Sequence, residues 1–344
     1  MSTTSSTLPA ALSFPPATFA RVSPAPYLLA HLKPSSASAS PTRPSGRSTS
    51  DFRQPIINTG SLSHAYGSAV VRVGDTAVVC GIRPEILRAA DIPHPYRSIS
   101  GDEPREQVQK DSQEVEQLGL LVPNLELSTG CSPAHLPGNA PGTLAQSLTQ
   151  RILSLLHISR LVDGDSLRIQ YQSPATDDDL PDAPPPIVTK AYWTLYIDIL
   201  FISLDGNPFD AAWAAVLAAL DNTKLPKAWW DADREMVLCS DTASEAQPLN
   251  LRGLPVASTF AVFTTASHHK KRGDAENWVL ADPDGFEDEL CNERVTVVTN
   301  GDKQILRIEK NGGGFTSKDT MGGIVSRAQD RWAEWKSVLT QGGK

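Results

Sequence analysis

Apolar and polar positions divide the chain into blocks with different periods. Ala69 to Gly81 reads AVVRVGDTAVVCG, two β-branched runs around Gly74-Asp75, which predicts a hairpin; Ile56 to Ser63 predicts a strand before it. Leu120 to Leu127 reads as a strand interrupted by Pro123, and Ser166 to Tyr171 as a short strand. Ala191 to Leu204, dense in Tyr, Trp, Ile and Phe, carries the strongest strand signal. From Gly142 to His157 the spacing is helical and puts Leu144, Leu148, Ile152, Leu155 and Leu156 on one face. Asn207 and Pro208 read as the N-cap and first residue of a helix to Leu220, which is nearly all Ala, Val, Leu and Trp and therefore buried on most sides. Strands are predicted at Val256 to Phe263, Trp278 to Ala281, Val295 to Thr299 and Gln304 to Glu309. Gly312-Gly313-Gly314 then breaks the chain before an amphipathic helix over about Ser317 to Leu339.

Between these blocks the pattern dissolves. Residues 88–118, 173–190 and 264–277 read as surface insertions in a domain spanning 51–340, the first with a solvated helix over Glu103 to Gln117. Residues 1–50 form an N-terminal arm and a Ser/Pro-rich linker, with no Asp or Glu and with Arg21, Lys33, Arg43 and Arg47 as the basic residues. That is also the composition of a mitochondrial transit peptide, but prolines at 15, 16, 24, 26 and 34 break any long amphipathic helix. Ala25 to Leu32 is predicted to form one or two helical turns that carry Tyr27, Leu28, Leu29 and Leu32 into a groove. Strands and helices mixed in this order indicate an α+β fold, mixed sheets packed with helices.

Charge narrows the function. The net charge of −8 and pI near 5.4 exclude nucleic-acid binding by bulk electrostatics, so any RNA contact is local or shared with partner chains. No stretch reaches the roughly 18 to 20 apolar residues that span a bilayer. Cys80, Cys131, Cys239 and Cys291 stand singly, without a CxxC pair or a histidine at zinc spacing, which predicts reduced thiols; no metal and no cofactor is expected.

Several segments in order resemble one family: GSLSHAYGSAVVRVGDTAVVCGIRPEI (60–86), VPNLEL (122–127), YIDILFISLDGNPFDAAWAAVLAAL (196–220) and PVASTFAVF (255–263). Together they are similar to the RNase PH family, and within it to the ring subunits of the eukaryotic RNA exosome. Arg43-Pro44-Ser45-Gly46-Arg47 resembles the family's RPDGR motif, with Ser45 in place of the usual Asp. The resemblance implies the RNase PH-like fold, related to ribosomal protein S5 domain 2. Active members degrade RNA from its 3′ end by phosphorolysis, chemistry that needs a basic cradle and carboxylates that relay a proton or bind a metal.

The resemblance puts Asp282 and Asp288 at the spacing of the family's paired aspartates, and Arg151 at a phosphate-binding arginine. Two departures matter. Ile152 follows Arg151 where active members have a hydroxyl residue, and the loop Ser128 to Asn139 has no Arg or Lys. These three positions therefore read as vestigial. Each also has a plain structural reading: Asp282 in an acidic turn with Pro283, Asp284 and Gly285, Asp288 on the solvated face Glu287-Asp288-Glu289, and Arg151 as a surface ion-pair residue.

The resemblance thus implies a non-catalytic scaffold subunit that helps form the RNA channel of the exosome ring; the alternative is an active phosphate-dependent 3′-to-5′ exoribonuclease. The implied neighbours are the ring subunits called ribosomal-RNA-processing protein forty-six and the messenger-RNA-transport subunit. S1/KH cap subunits and exosome nucleases complete the implied assembly, in nucleus, nucleolus and cytoplasm. Three further features stay open. Lys270, Lys271 and Arg272, after His268-His269, are candidates for RNA contact or for a solvated loop; Trp229-Trp230 for an interface or the core; Asp198 for a buried ion pair.

Overall fold

The structure is a computed structural model that describes residues 15–33, 40–93, 104–133, 135, 142–172, 187–265, 276–291, 293–313 and 317–342. The N-terminal arm contains two short helices, α1 (Pro16–Val22) and α2 (Pro24–Leu32). Each begins with proline, whose missing N–H costs nothing in a first turn. Then come β1 (Pro55–Thr59), β2 (Gly67–Val73), β3 (Thr76–Arg88), α3 (Pro104–Gln117), β4 (Leu121–Leu127), α4 (Thr143–Ser159), β5 (Arg168–Gln172), β6 (Ile187–Ser203) and α5 (Pro208–Asp221). Short strands follow as β7 (Lys224–Leu225), β8 (Ala228–Asp231), β9 (Met236–Cys239) and β10 (Gln247–Pro248). The chain ends with β11 (Val256–Thr264), β12 (Asn277–Ala281), α6 (Gly285–Leu290), β13 (Glu293–Thr299), β14 (Ile305–Asn311) and α7 (Lys318–Gly342).

Two sheets hold the molecule together. The first has the order β1-β2-β3-β6-β4, with β5 also paired to β6; β4 runs parallel to β6 and all other pairs are antiparallel. Pro123 is tolerated because β4 pairs with β6 alone and is an edge strand. The second sheet is antiparallel, in the order β12-β11-β13-β14. Helix α5 lies between the sheets, against β2 and β3 on one side and β11 on the other, with Phe209 and every residue from Ala211 to Leu220 buried. Its alanines allow close approach. A Cβ on Gly67 would lie 2.1 Å from Thr223 Oγ1 and 2.6 Å from the Ala219 carbonyl, so β2 can reach the helix only through glycine. Helix α7 covers the far face of the second sheet through Ile324 and Ala328. The arm packs as predicted: Leu28 and Leu32 are buried among Ala261, Phe263, Leu280 and Cys291.

Several expectations change. The helix predicted to be solvated, α3, buries Asp111 (1% exposed) and Glu114 (7% exposed). Burial is possible because β5 brings Arg168 between them, with Nη2 2.6 Å from Asp111 and Nε 2.8 Å from Glu114, while Tyr192 donates to Glu114 at 2.7 Å. Asp198 is exposed rather than buried, because Ile197 and Ile199 face the core and strand alternation turns Asp198 outward, where Asn124 donates to it at 3.4 Å. Leu144 does not join the apolar face of α4 but stays 38% exposed. Strands β3 and β6 extend into the expected insertions, to Arg88 and from Ile187. Cys239 is exposed, whereas the other three thiols are buried.

Candidate functional site

The turn 205–207 organises the region where the arm, α5 and the end of β12 meet. Gly206 has φ +67°, and a Cβ there would lie 2.3 Å from the Asp284 carbonyl carbon. Glycine is thus required on two counts. Asn207 also has positive φ, at 45°. Its side chain does not cap α5 in the expected way but donates to Asp210 at 2.9 Å and to Asp282 at 2.8 Å.

Asp282 is the hub of this region. It is 2% exposed and has φ 50° at the end of β12. Its carboxylate accepts Arg53 Nε and Nη2, both at 2.8 Å, the Arg53 backbone N–H at 2.9 Å, and Asn207. Burial by itself raises the pKa of this group, but the hydrogen bonds and charge of Arg53, with Asn207, hold it below the usual carboxylate range. The plain acidic turn is therefore overturned at this residue: a bidentate arginine makes the buried charge tenable.

The Arg43 to Arg47 turn sits beside it. Arg43 has a fully buried side chain that donates to Glu287 at 3.1 Å and to the carbonyls of Thr49, Asp51, Ala281 and Asp282. Arg47 donates to the Asp282 carbonyl at 3.1 Å. Asp284 and Glu287 form a reciprocal capping box at the start of α6, which orients Glu287 toward Arg43. Ser45 hydrogen-bonds Arg47 at 3.2 Å within the turn.

Next to this clamp lies a cleft of about 510 Å³ whose lining includes Arg151, Phe209, Asp288, Glu289, Arg294, Thr296 and Glu309. Of the sequence candidates, Arg151 and Asp288 both line it, while Asp282 lies behind Asn207 and does not. Asp288 is not on a solvated face. Its side chain is 18% exposed and accepts Arg294 Nε at 2.6 Å. Burial raises its pKa against the pull of Arg294. Arg151 stacks over the Phe209 ring at 3.9 Å, pairs with Glu309 at 3.1 Å, and donates to Thr296 Oγ1 at 3.2 Å. Ile152, whose neighbour Arg151 lines the cleft, is fully buried in the core.

The lining thus carries two guanidiniums against three carboxylates, and each guanidinium is already paired. Sequence reasoning missed Arg53, Arg294, Thr296 and Glu309. The hub bridges 229 positions from Arg53 to Asp282 and 75 from Asn207, and nothing local in these segments signals it. Lys270, Lys271 and Arg272 lie outside the described residues, as does 173–186. Trp229 is 42% exposed on the β8–β9 hairpin, and Lys190 lies 5.4 Å over the ring of Trp230.

Comparison with known proteins agrees with this architecture. Models of the 3′ exoribonuclease family match in two parts, domain 1 over residues 51–226 and domain 2 over 253–330. The chain is 35% identical to the exosome complex component rrp43 of Schizosaccharomyces pombe, over 88% of this chain and 90% of that protein. It is 28% identical to the exosome complex component Rrp42 of Methanothermobacter thermautotrophicus, over 83% and 85% of the two chains. Among solved structures, a chain of the Archaeoglobus fulgidus exosome with RNA bound to the active site superposes with TM-score 0.62 at 22% identity, covering 91% of this chain and 96% of that one. Rice Rrp46 superposes with TM-score 0.51 at 15% identity, covering 88% and 100%. The sheet order, the two-part match and the full-length similarity lead to one conclusion: the chain belongs to the RNase PH (3′ exoribonuclease) family.

Proposed function

We propose that this protein is a non-catalytic structural subunit of the RNA exosome core ring, which supports 3′-to-5′ RNA processing and degradation by helping to form the RNA channel. The observation that carries the reading is the similarity to an exosome complex component over nearly the whole of both chains. The surface is consistent with assembly. One face of the first sheet is covered by α5, but the other exposes Leu200 (40%) and Ile202 (54%) on β6 and Ile56 (66%) on β1, where an isolated sheet presents polar residues.

The absence of catalysis is supported by the cleft. Phosphorolysis requires uncompensated positive charge for two anionic groups, and both lining guanidiniums are neutralised by the chain's own carboxylates. The buried Asp282, held by Arg53, serves the fold rather than the cleft. The ring subunits called ribosomal-RNA-processing protein forty-six and the messenger-RNA-transport subunit are the neighbours this reading assigns. S1/KH cap subunits and exosome nucleases belong to the same assembly, in nucleus, nucleolus and cytoplasm.

The test is the native mass and subunit content of the tagged protein purified from its own cells. Stoichiometric recovery with five other RNase PH-like chains is expected. Recovery alone or as a homo-oligomer sinks the scaffold reading, and phosphate-dependent release of nucleoside diphosphates by the purified chain sinks the non-catalytic one.

A further inference from the structure

The two adjacent tryptophans of the β8–β9 hairpin point opposite ways. The antiparallel register pairs Ala228 with Cys239, Trp229 with Leu238, Trp230 with Val237 and Asp231 with Met236. Strand alternation therefore puts Ala228, Trp230 and Val237 on one face and Trp229, Leu238 and Met236 on the other. The first face packs inward: Ala228 and Val237 lie against the main core, and the Lys190 ammonium sits 5.4 Å over Trp230 and 5.9 Å over Tyr171. The second face is turned to water, with Trp229 42% exposed, Met236 46% exposed and Leu238 half-buried opposite Trp229. An indole held in water on an ordered strand has the form of an interface anchor.

Charge around this face selects the kind of partner. Residues 227–245 carry five carboxylates and two cations, and both cations are already matched, Lys227 by Glu245 at 4.0 Å and Arg234 by Asp231 at 3.8 Å. Asp233 and Glu235 in the hairpin tip and Asp241 beyond β9 are exposed, with no counter-ion among the described residues. An acidic rim repels a phosphate backbone and attracts cationic side chains, which also stack on an exposed indole. Size narrows the choice again. A stable globular partner needs about 800 Å² on each side, more than one two-stranded face offers, whereas a short segment fits it.

We propose that the outward face of the β8–β9 hairpin is a docking surface for a basic peptide segment of another protein. An apolar side chain of that segment packs on Trp229, Leu238 and Met236, and its cations meet Asp233, Glu235 and Asp241. None of these residues lines the cleft, so the surface is separate from the candidate site and does not rest on the ring reading.

The experiment places the photo-crosslinker p-benzoylphenylalanine at Met236 of the tagged full chain in its own cells, and identifies the crosslinked peptide by mass spectrometry. One protein segment with several Arg or Lys residues around an apolar one is expected. A synthetic peptide with that sequence is then titrated against the purified full chain by fluorescence anisotropy. Trp229→Thr, a residue suited to an exposed strand position, is expected to bind at least about tenfold more weakly than wild type. Trp229→Phe keeps an aromatic face and is expected to retain most of the affinity. The tip variant Asp233→Lys/Glu235→Lys is expected to weaken binding and to flatten its salt dependence, and it repeats the test should Trp229→Thr fold poorly.

A crosslink to RNA alone, to a segment without basic residues, or to nothing overturns the proposal. So does a folded Trp229→Thr or Asp233→Lys/Glu235→Lys chain that binds the peptide as tightly as wild type. Ring membership is decided by subunit recovery and enters neither readout, so the two failures are distinguishable.

Discussion

Asp282 and Asp288 lie six positions apart in one acidic stretch, yet they belong to two regions built on different physics. The clamp around Asp282 is dry: the side chains of Arg43 and Glu287 are fully buried, those of Asp282 and Arg53 are 2% and 9% exposed, and the guanidinium of Arg43 also satisfies four backbone carbonyls. The cleft around Asp288 is open: Arg294 is 45% exposed, and Asp288 and Glu309 remain 18% and 17% exposed. In the clamp, desolvation makes each pair obligatory, because the loss of one partner strands a buried charge. In the cleft, water stands ready to replace either partner, so the same residue types contribute less to stability. Burial, and not residue type or spacing, separates the two roles.

The comparison breaks most sharply at Arg43. Arg43→Ala leaves the buried Glu287 with Arg47, 3.7 Å away, as its cation and removes one donor from each of four carbonyls, and is expected to cost about 3 kcal/mol. Urea denaturation of the full chain measures it, and a loss below about 1 kcal/mol would show that the clamp is not holding the arm to the second sheet. Asp282→Asn is the next largest. It keeps the shape but replaces charge-assisted bonds to Arg53, with an expected loss of about 1.5–3 kcal/mol at neutral pH. The folded pKa of Asp282 is lowered, so its stabilisation is present above the unfolded value of about 4 and is lost as pH falls through the folded value. The gap between Asp282→Asn and wild type therefore closes on acidification below about pH 4, and a gap that persists at lower pH assigns the effect to packing instead.

The parts of this structure legible in the sequence are those with a local signal. The Gly74-Asp75 hairpin, the apolar α5 and the four strands of the second sheet all follow from short-range period and turn chemistry. Leu28 and Leu32 were readable as an anchor because a compact apolar cluster stands out in a Ser/Pro-rich arm. Charged residues were not readable in this way. Asp111 and Glu114 have the pattern of a solvated helix until Arg168, 54 positions or more away, is folded against them. The pairing of Arg43 with Glu287 spans 244 positions, and that of Arg151 with Glu309 spans 158. A single sequence records where charges are, not which of them meet. Asp282 and Asp288 were therefore found together, while the difference in their burial was invisible.

The smallest effect is the most discriminating. Asp288→Asn removes a carboxylate whose partner Arg294 is 45% exposed, so the change in stability at neutral pH is expected to stay within about 1 kcal/mol. Its pH dependence has the opposite sign to that of Asp282→Asn. Burial raises the folded pKa of Asp288, so its contribution is fully present below the unfolded value of about 4 and is lost as pH rises through the folded value. Asparagine does not titrate, so Asp288→Asn gains stability relative to wild type as pH rises through that window, where Asp282→Asn loses it. Matched urea titrations of the three chains between about pH 3 and pH 7 read both slopes in one series. If both variants show the same slope, the two carboxylates share one environment and the division between clamp and cleft falls. Opposite slopes establish that this short acidic stretch carries one carboxylate bound into the fold and one that faces the cleft.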